Sequence, residues 1–197
     1  MPSVTSTPAK SLVAPTPVKN ADGSGGNVRV FCRFRPLNSR ELSTTESELC
    51  VTFKNETTCM VKGTNQKTGQ VEPIPYTFDH TFDTSCRQVD VYNTAVMPII
   101  ESVLEGFNGT ILAYGQTSSG KTHTMLGPDI DSEENRGIIP RMVGGIFEKI
   151  ETAPEEVEFT VKVSFIEIYN EKIRDLLDPK KNDLKVHENK EQGVYVK

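Results

Sequence analysis

One stretch of eight residues carries the clearest chemistry in this chain. Gly115-Gln116-Thr117-Ser118-Ser119-Gly120-Lys121-Thr122 satisfies the pattern G-x-x-x-x-G-K-[ST] at every fixed position. The glycines let the backbone fold tightly around phosphate oxygens, and successive N–H groups at a helix start point at the anion. Lys121 then places a point charge on the β- and γ-phosphates, and the Thr122 hydroxyl can ligate Mg²⁺. The pattern implies a nucleoside triphosphate and magnesium without naming a reaction. Read without context, the same residues are a Gly/Ser-rich turn between a strand and a helix.

The flanking sequence supplies that context. Thr110–Tyr114 is an almost wholly apolar run, as expected of a strand buried on both faces of a sheet. A short helix follows the loop and stops at Gly127-Pro128. Upstream, Val89, Tyr92, Val96, Ile99, Ile100, Val103, Leu104 and Phe107 fall at spacings of three and four and predict a helix. Pro98 should kink or divide it, and residues 106–109 close it. Downstream come an acidic loop, Asp129–Arg136, and a helix marked by Met142, Val143, Ile146, Phe147 and Ile150. Strict alternation from Val157 to Phe165 predicts a strand, with a bulge or two-sided burial where Ile166 and Ile168 change parity. Asn170–Leu177 reads as a short helix capped by Asn170, and Val194–Val196 as a strand.

At the other end, Val28–Phe34 alternates as a strand does, and Pro36 ends its pairing. Cys50–Phe53, Cys59–Val61 and Tyr76–Phe78 predict a small hairpin lobe. Residues 1–26 are mostly Ser, Thr, Pro, Ala and Gly, with two lysines, a composition expected of a disordered arm, so the folded domain spans residues 27–197.

Composition narrows the function classes. The 197 residues hold 22 Lys+Arg against 27 Asp+Glu, a net charge of −5, which gives no basic field for nucleic acid or an anionic membrane. No apolar run approaches the ~18 residues that a membrane span needs, and the first 26 residues lack a secretory or transit pattern. A cytosolic protein is the expectation. Cys32, Cys50, Cys59 and Cys86 are irregularly spaced, and His80, His123 and His187 do not cluster, so structural zinc is not expected. The sequons at Asn55 and Asn108 matter only in a secreted chain.

Three triphosphate users remain on the residues alone: a GTPase, a small phosphotransferase, or an ATPase that converts hydrolysis into motion. A guanine-reading N-K-x-D is absent. Roughly eighty ordered residues precede the loop, against a small kinase, whose loop lies near the amino end of the fold. The one D-x-x-G, Asp22–Gly25, follows no apolar strand, so the Asp partner of the metal is either unusual or beyond Lys197.

Four segments together carry a family resemblance. Gly115–Met125 resembles the P-loop of a kinesin motor domain, and Ser118 resembles the conventional heavy-chain branch in particular. Cys32-Arg33-Phe34-Arg35-Pro36-Leu37 resembles the first strand of that domain with its R-x-R-P. Val103–Thr110 resembles the lead into the loop, and Glu167–Leu177 the fourth-strand motif. The resemblance covers about Asn27 to Lys197. It implies an α/β fold of the P-loop NTPase type, three layers around a central, mostly parallel or mixed sheet.

The resemblance also implies roles. ATP and Mg²⁺ would be the cofactors, with Arg33, Arg35 and Pro36 on the adenine side and His123 stacking on or edging the base. Lys172 would contact tubulin. The intact protein would be a microtubule-stimulated ATPase that moves along microtubules, cytoskeletal in location and a homodimer through a coiled coil outside this segment. Spacing alone reads Arg33 and Arg35 as a solvated strand face, His123 as an ordinary first-turn residue and Lys172 as a solvent-exposed cation. The family's switch segments N-x-x-S-S-R-S-H and D-L-A-G-S-E do not occur. No catalytic residue is therefore assigned within the segment. The expectation is an amino-terminal part of a motor domain that docks nucleotide and is inactive alone, against a competing P-loop or microtubule-associated module that never turns over.

Overall fold

A computed structural model describes residues 28–43, 49–64, 69–190 and 193–197. The expected arm, residues 1–26, lies outside them. The chain divides into two units, one up to Lys149 and one from Ile150.

In the first unit, β1 (Phe31–Arg33) runs parallel to β5 (His80–Phe82), with Phe31 opposite His80 and Arg33 opposite Phe82. Between them lie a short helix, α1 (Ser39–Ser43), and the expected hairpin lobe. That lobe is an antiparallel sheet in the order β2 (Val51–Phe53), β3 (Thr58–Thr64), β4 (Val71–Thr77). Pro73 and Pro75 sit in β4, which pairs with β3 alone, and an edge strand tolerates residues that cannot donate to a ladder.

The long predicted helix is a composite of α2 (Gln88–Val91), a π-helical turn (Tyr92–Val96) and α3 (Met97–Leu104). Its expected division at Pro98 has a clear cause. Proline cannot donate to a carbonyl four residues back, and the turn before it widens so that the Met97 N–H bonds to the Tyr92 carbonyl, five back. The expected closure also holds: Gly106 N–H bonds to Val103 O and Phe107 N–H to Ser102 O, each at 3.0 Å, a Schellman ending. Two further helices, α4 (Lys121–Met125) and α5 (Ile138–Glu151), follow as expected on either side of the acidic loop.

The apolar periodicity builds the core. Val91, Tyr92, Val96 and Ile100 on the composite helix meet Phe82 of β5 and Ile138 of α5, with Val96 wholly inaccessible. Phe31, Ile111 and Met125 pack against this cluster. It thereby anchors β1, the lead into the glycine-rich loop and the helix after it.

Three sequence expectations are corrected. Thr110–Tyr114 is not a strand: no ladder partner is found for it among the described residues, and Leu112 and Tyr114 are 84% and 95% exposed. Val157–Phe165, in the second unit, likewise forms no strand and is exposed; only at its end does Phe165 O accept from Leu176 N–H, at 2.8 Å. In both, the β character of the side chains is real, but a strand exists only through its neighbour. The helix predicted over Asn170–Leu177 is instead a hairpin of β6 (Ile166–Tyr169) and β7 (Lys172–Asp175), joined by Asn170 and Glu171 at φ +48° and +61°. Positive φ at both central residues suits the twist of the flanking strands, and Asn tolerates that conformation. β8 (Asn182–Leu184) extends this sheet beside β7, and β9 (Val186–Asn189) pairs antiparallel with β10 (Gly193–Val196), the expected last strand.

Candidate functional site

The loop of residues 115–120 hangs between two core contacts, Ile111 before it and Met125 after it. Gly120, at φ +101°, turns the chain into α4 in a conformation that a Cβ would strain. Ser118 adopts φ +68° without that freedom. Its carbonyl is held by the Arg35 Nε–H at 3.0 Å, so the segment that follows β1 fixes an unfavourable turn.

The Lys121 ammonium folds back over the loop and donates to the Gly115 and Gln116 carbonyls, each at 2.8 Å. Three ammonium protons and two carbonyl partners leave one proton for a further acceptor. Thr117, Ser118, Gly120, Lys121, Thr122 and His123 line a concavity of about 320 Å³. Five of the eight motif residues therefore share one surface with His123, while Gly115, Gln116 and Ser119 form the rest of the loop. Burial, and secondarily the Arg33 charge, hold the His123 imidazole below its ordinary range, which favours the neutral ring.

The other expected contacts are placed differently. Arg33 Nη1 donates to Gln88 Oε1 at 2.8 Å and to Thr124 Oγ1 at 3.0 Å, behind α4 rather than along the concavity. The Arg35 guanidinium grips Glu41 through two bonds of 2.7 and 2.5 Å and donates to the Pro36 carbonyl at 3.0 Å. Arg35 and Pro36 thus adjoin the Ser118 side of the loop. Lys172 is exposed on β7, in the second unit.

Two residues not singled out from the sequence organise this region. Glu41 closes a capping box: Asn38 Oδ1 accepts from the Arg40 and Glu41 N–H groups at 3.0 Å, and Glu41 Oε2 accepts from Asn38 N–H at 2.8 Å. The spacing Asn38-x-x-Glu41 is the sequence signal for it. The bond from Arg35, joined by that from the Asn38 backbone, pulls the Glu41 carboxyl down to about 2. Gln88 is only 7% exposed, and nothing in its local pattern announces its partners. Its Nε2 donates to the His123 carbonyl at 2.7 Å and the Asn135 carbonyl at 3.2 Å, while Oε1 accepts from Arg33.

This geometry sits in a chain with clear relatives. The kinesin motor domain family model matches residues 33–197. The kinesin heavy chain of Gibberella moniliformis is 45% identical over 174 residues, covering 88% of this chain and 18% of that protein. Kinesin-1 heavy chain of Rattus norvegicus is 48% identical over 177 residues, covering 90% and 17%. A solved structure, "Structure of a fast kinesin: Implications for ATPase mechanism and interactions with microtubules", superimposes with a TM-score of 0.79 at 43% identity over 86% of this chain and 46% of that one. The chain thus spans less than a fifth of the curated relatives' length. With the α/β fold, the glycine-rich loop and the family match in agreement, this chain belongs to the kinesin motor domain family.

Proposed function

We propose that this chain is the ATP-binding part of a microtubule-based motor whose whole protein couples ATP hydrolysis to movement along microtubules. The observation that carries the proposal is the loop itself: Lys121 is drawn over its own carbonyls with a donor to spare, above a concavity closed by Thr122 and His123. Within that reading, Lys121 binds the β- and γ-phosphates, and the amides that open α4, which an intrahelical ladder cannot use, face the same oxygens. The neutral His123 ring presents a flat face to a base, with Arg35 and Pro36 at the opposite edge of the loop.

The donor set also fits magnesium. Thr122 offers one exposed hydroxyl, and no group of three or more His, Cys, Asp or Glu among the described residues could hold a metal by itself. A cation that keeps most of its ligands from substrate phosphates and water suits one protein oxygen. When bound, it neutralises charge on the phosphate oxygens. Filament contact is assigned to the exposed Lys172, a cation suited to an acidic tubulin surface. In the whole protein, the phosphate state biases a two-state switch coupled to filament affinity, and dimerisation lies in a coiled coil outside this segment. No helix among the described residues is long and apolar enough to cross a membrane.

Lys121→Ala tests the reading. Its expected result in the full-length protein is loss of tight ATP binding and of microtubule-stimulated ATPase. Undiminished stimulated turnover in that variant refutes the assigned role. ATP binding with no turnover in the wild-type protein would favour the static module instead.

A further inference from the structure

Both ends of the buried Gln88 amide are engaged, by three partners from three segments that lie 35 to 55 residues away in the chain. Each partner belongs to a different segment in or beside α4. Arg33 is on β1, the His123 carbonyl is in the middle of α4, and the Asn135 carbonyl is in the loop that follows α4. Only a group with an acceptor and two donors in one plane can make all three bonds. α4 has only five residues, too short to hold its own position by its helical bonds alone; Lys121 ties its first residue to the loop, Met125 its last to the core, and Thr124 Oγ1 accepts from the same Arg33 guanidinium.

We propose that Gln88 is a positioning residue for the base-contacting end of the site, acting through Arg33 and His123. It touches neither the glycine-rich loop nor the concavity. Its bond to the His123 carbonyl holds the middle of α4, and so where the His123 ring stands, while at the first residue of α4 the phosphate-facing Lys121 ammonium is held separately by the Gly115 and Gln116 carbonyls. Two anchors for one ligand predict two separable effects. Loss of Gln88 weakens recognition of the base and spares recognition of the phosphates.

The inference rests on the nucleotide reading above, and the experiment separates the two. In the full-length protein, Gln88→Met keeps the length of the side chain while deleting all three bonds, and Gln88→Glu keeps an acceptor for Arg33 while deleting both donors. Affinities are measured for Mg·ATP and for magnesium tripolyphosphate, a probe with no base. ATP affinity is expected to fall roughly tenfold in the Met variant, with tripolyphosphate affinity changed less than about twofold. The Glu variant falls between wild type and Met. If the Met variant does not fold, the Glu variant carries the same comparison. Without any ligand, amide exchange at Thr124 and Leu126, whose N–H groups bond to Gly120 O and Thr122 O, is expected to accelerate in both variants. A parallel loss for the two ligands, an unchanged ATP affinity, or unchanged exchange in α4 overturns the proposal. A wild-type protein that binds tripolyphosphate as tightly as ATP refutes base recognition itself, and the role of Gln88 in holding α4 is then decided by the exchange rates alone.

Discussion

Replacing Gly127 with alanine places a methyl group where two backbone segments touch. The new Cβ would collide with the Asn135 carbonyl oxygen and lie 2.6 Å from the Gly137 nitrogen and 3.0 Å from the Arg136 carbonyl carbon. These are main-chain atoms, and the Gly137 N–H is tied to Leu126 O at 2.8 Å, so they cannot swing aside as a side chain would. The φ of +86° adds about 1–2 kcal/mol for any residue that carries a Cβ. Parting the segments to relieve the collision loses that hydrogen bond, about 1 kcal/mol. The expected destabilisation is roughly 2–3 kcal/mol, read as a lower urea midpoint at unchanged slope. Two alanine controls in α5 isolate the cause. At Gly144 nothing lies within 4 Å of the new Cβ, and a mid-helix Gly→Ala exchange stabilises by about 0.5–1 kcal/mol. At Gly145 the Cβ would stand 2.7 Å from the buried Tyr92 hydroxyl, so the same exchange one residue on destabilises. A Gly127→Ala protein with wild-type stability, or equal shifts at Gly144 and Gly145, would refute the reasoning from close approach.

Two shorter tests address other elements. The folded Glu41 carboxyl, at about 2 against an ordinary 4.5, contributes stability that is fully present above pH 4.5 and is lost as the pH falls toward 2. Glu41→Gln is therefore expected to lower the melting temperature at pH 6, and the gap from wild type should close between pH 4.5 and 2; a gap independent of pH contradicts the Arg35 pairing. Glu171→Gly relieves a positive φ in the β6–β7 turn and is expected to stabilise the hairpin by about 1 kcal/mol, measured as slower amide exchange in residues 166–175. A helix there would instead lose about as much on the same change.

What the sequence made legible depended on how local the determining physics was. The glycine-rich loop, the helix division at Pro98 and the stop at Gly127 each follow from the conformational limits of one or two residues, and all stand where the spacing put them. The buried face of Tyr92, Val96 and Ile100 is equally local, since a period of 3.6 needs no knowledge of the partner. Strand pairing is not local. Val157–Phe165 alternates perfectly and still finds no ladder among the described residues. Asn170–Leu177 misled because Ile173, Leu176 and Leu177 satisfy helical spacing for a single turn, too short a window to outweigh two left-handed residues in succession. The site divides in the same way. Lys121, Thr122 and His123 meet around one concavity because they are contiguous in the chain. Arg33 turned out to serve Gln88 and Thr124, a pairing between residues 55 and 91 positions apart that no motif encodes.

The widened turn over Tyr92–Val96 sets a rule about insertions and deletions rather than about residue types. The bond from Met97 N–H to Tyr92 O closes over one residue more than an α-turn would hold. Deleting one residue within this turn would leave a uniform α-helix with α3 in its present orientation, whereas deleting one in α2, with the turn kept, would rotate α3 by about 100° about its axis. Ile100 would then leave the core, and the spacing from Gln88 to the packed face would be lost. Loss of one residue from this turn can be absorbed by the pitch, whereas a change of one in the regular turns beside it is felt by every residue that follows in the helix. Among divergent copies of this chain, the count of residues from Gln88 to Pro98 should fall by one only together with the widened turn, leaving a plain α-helix there.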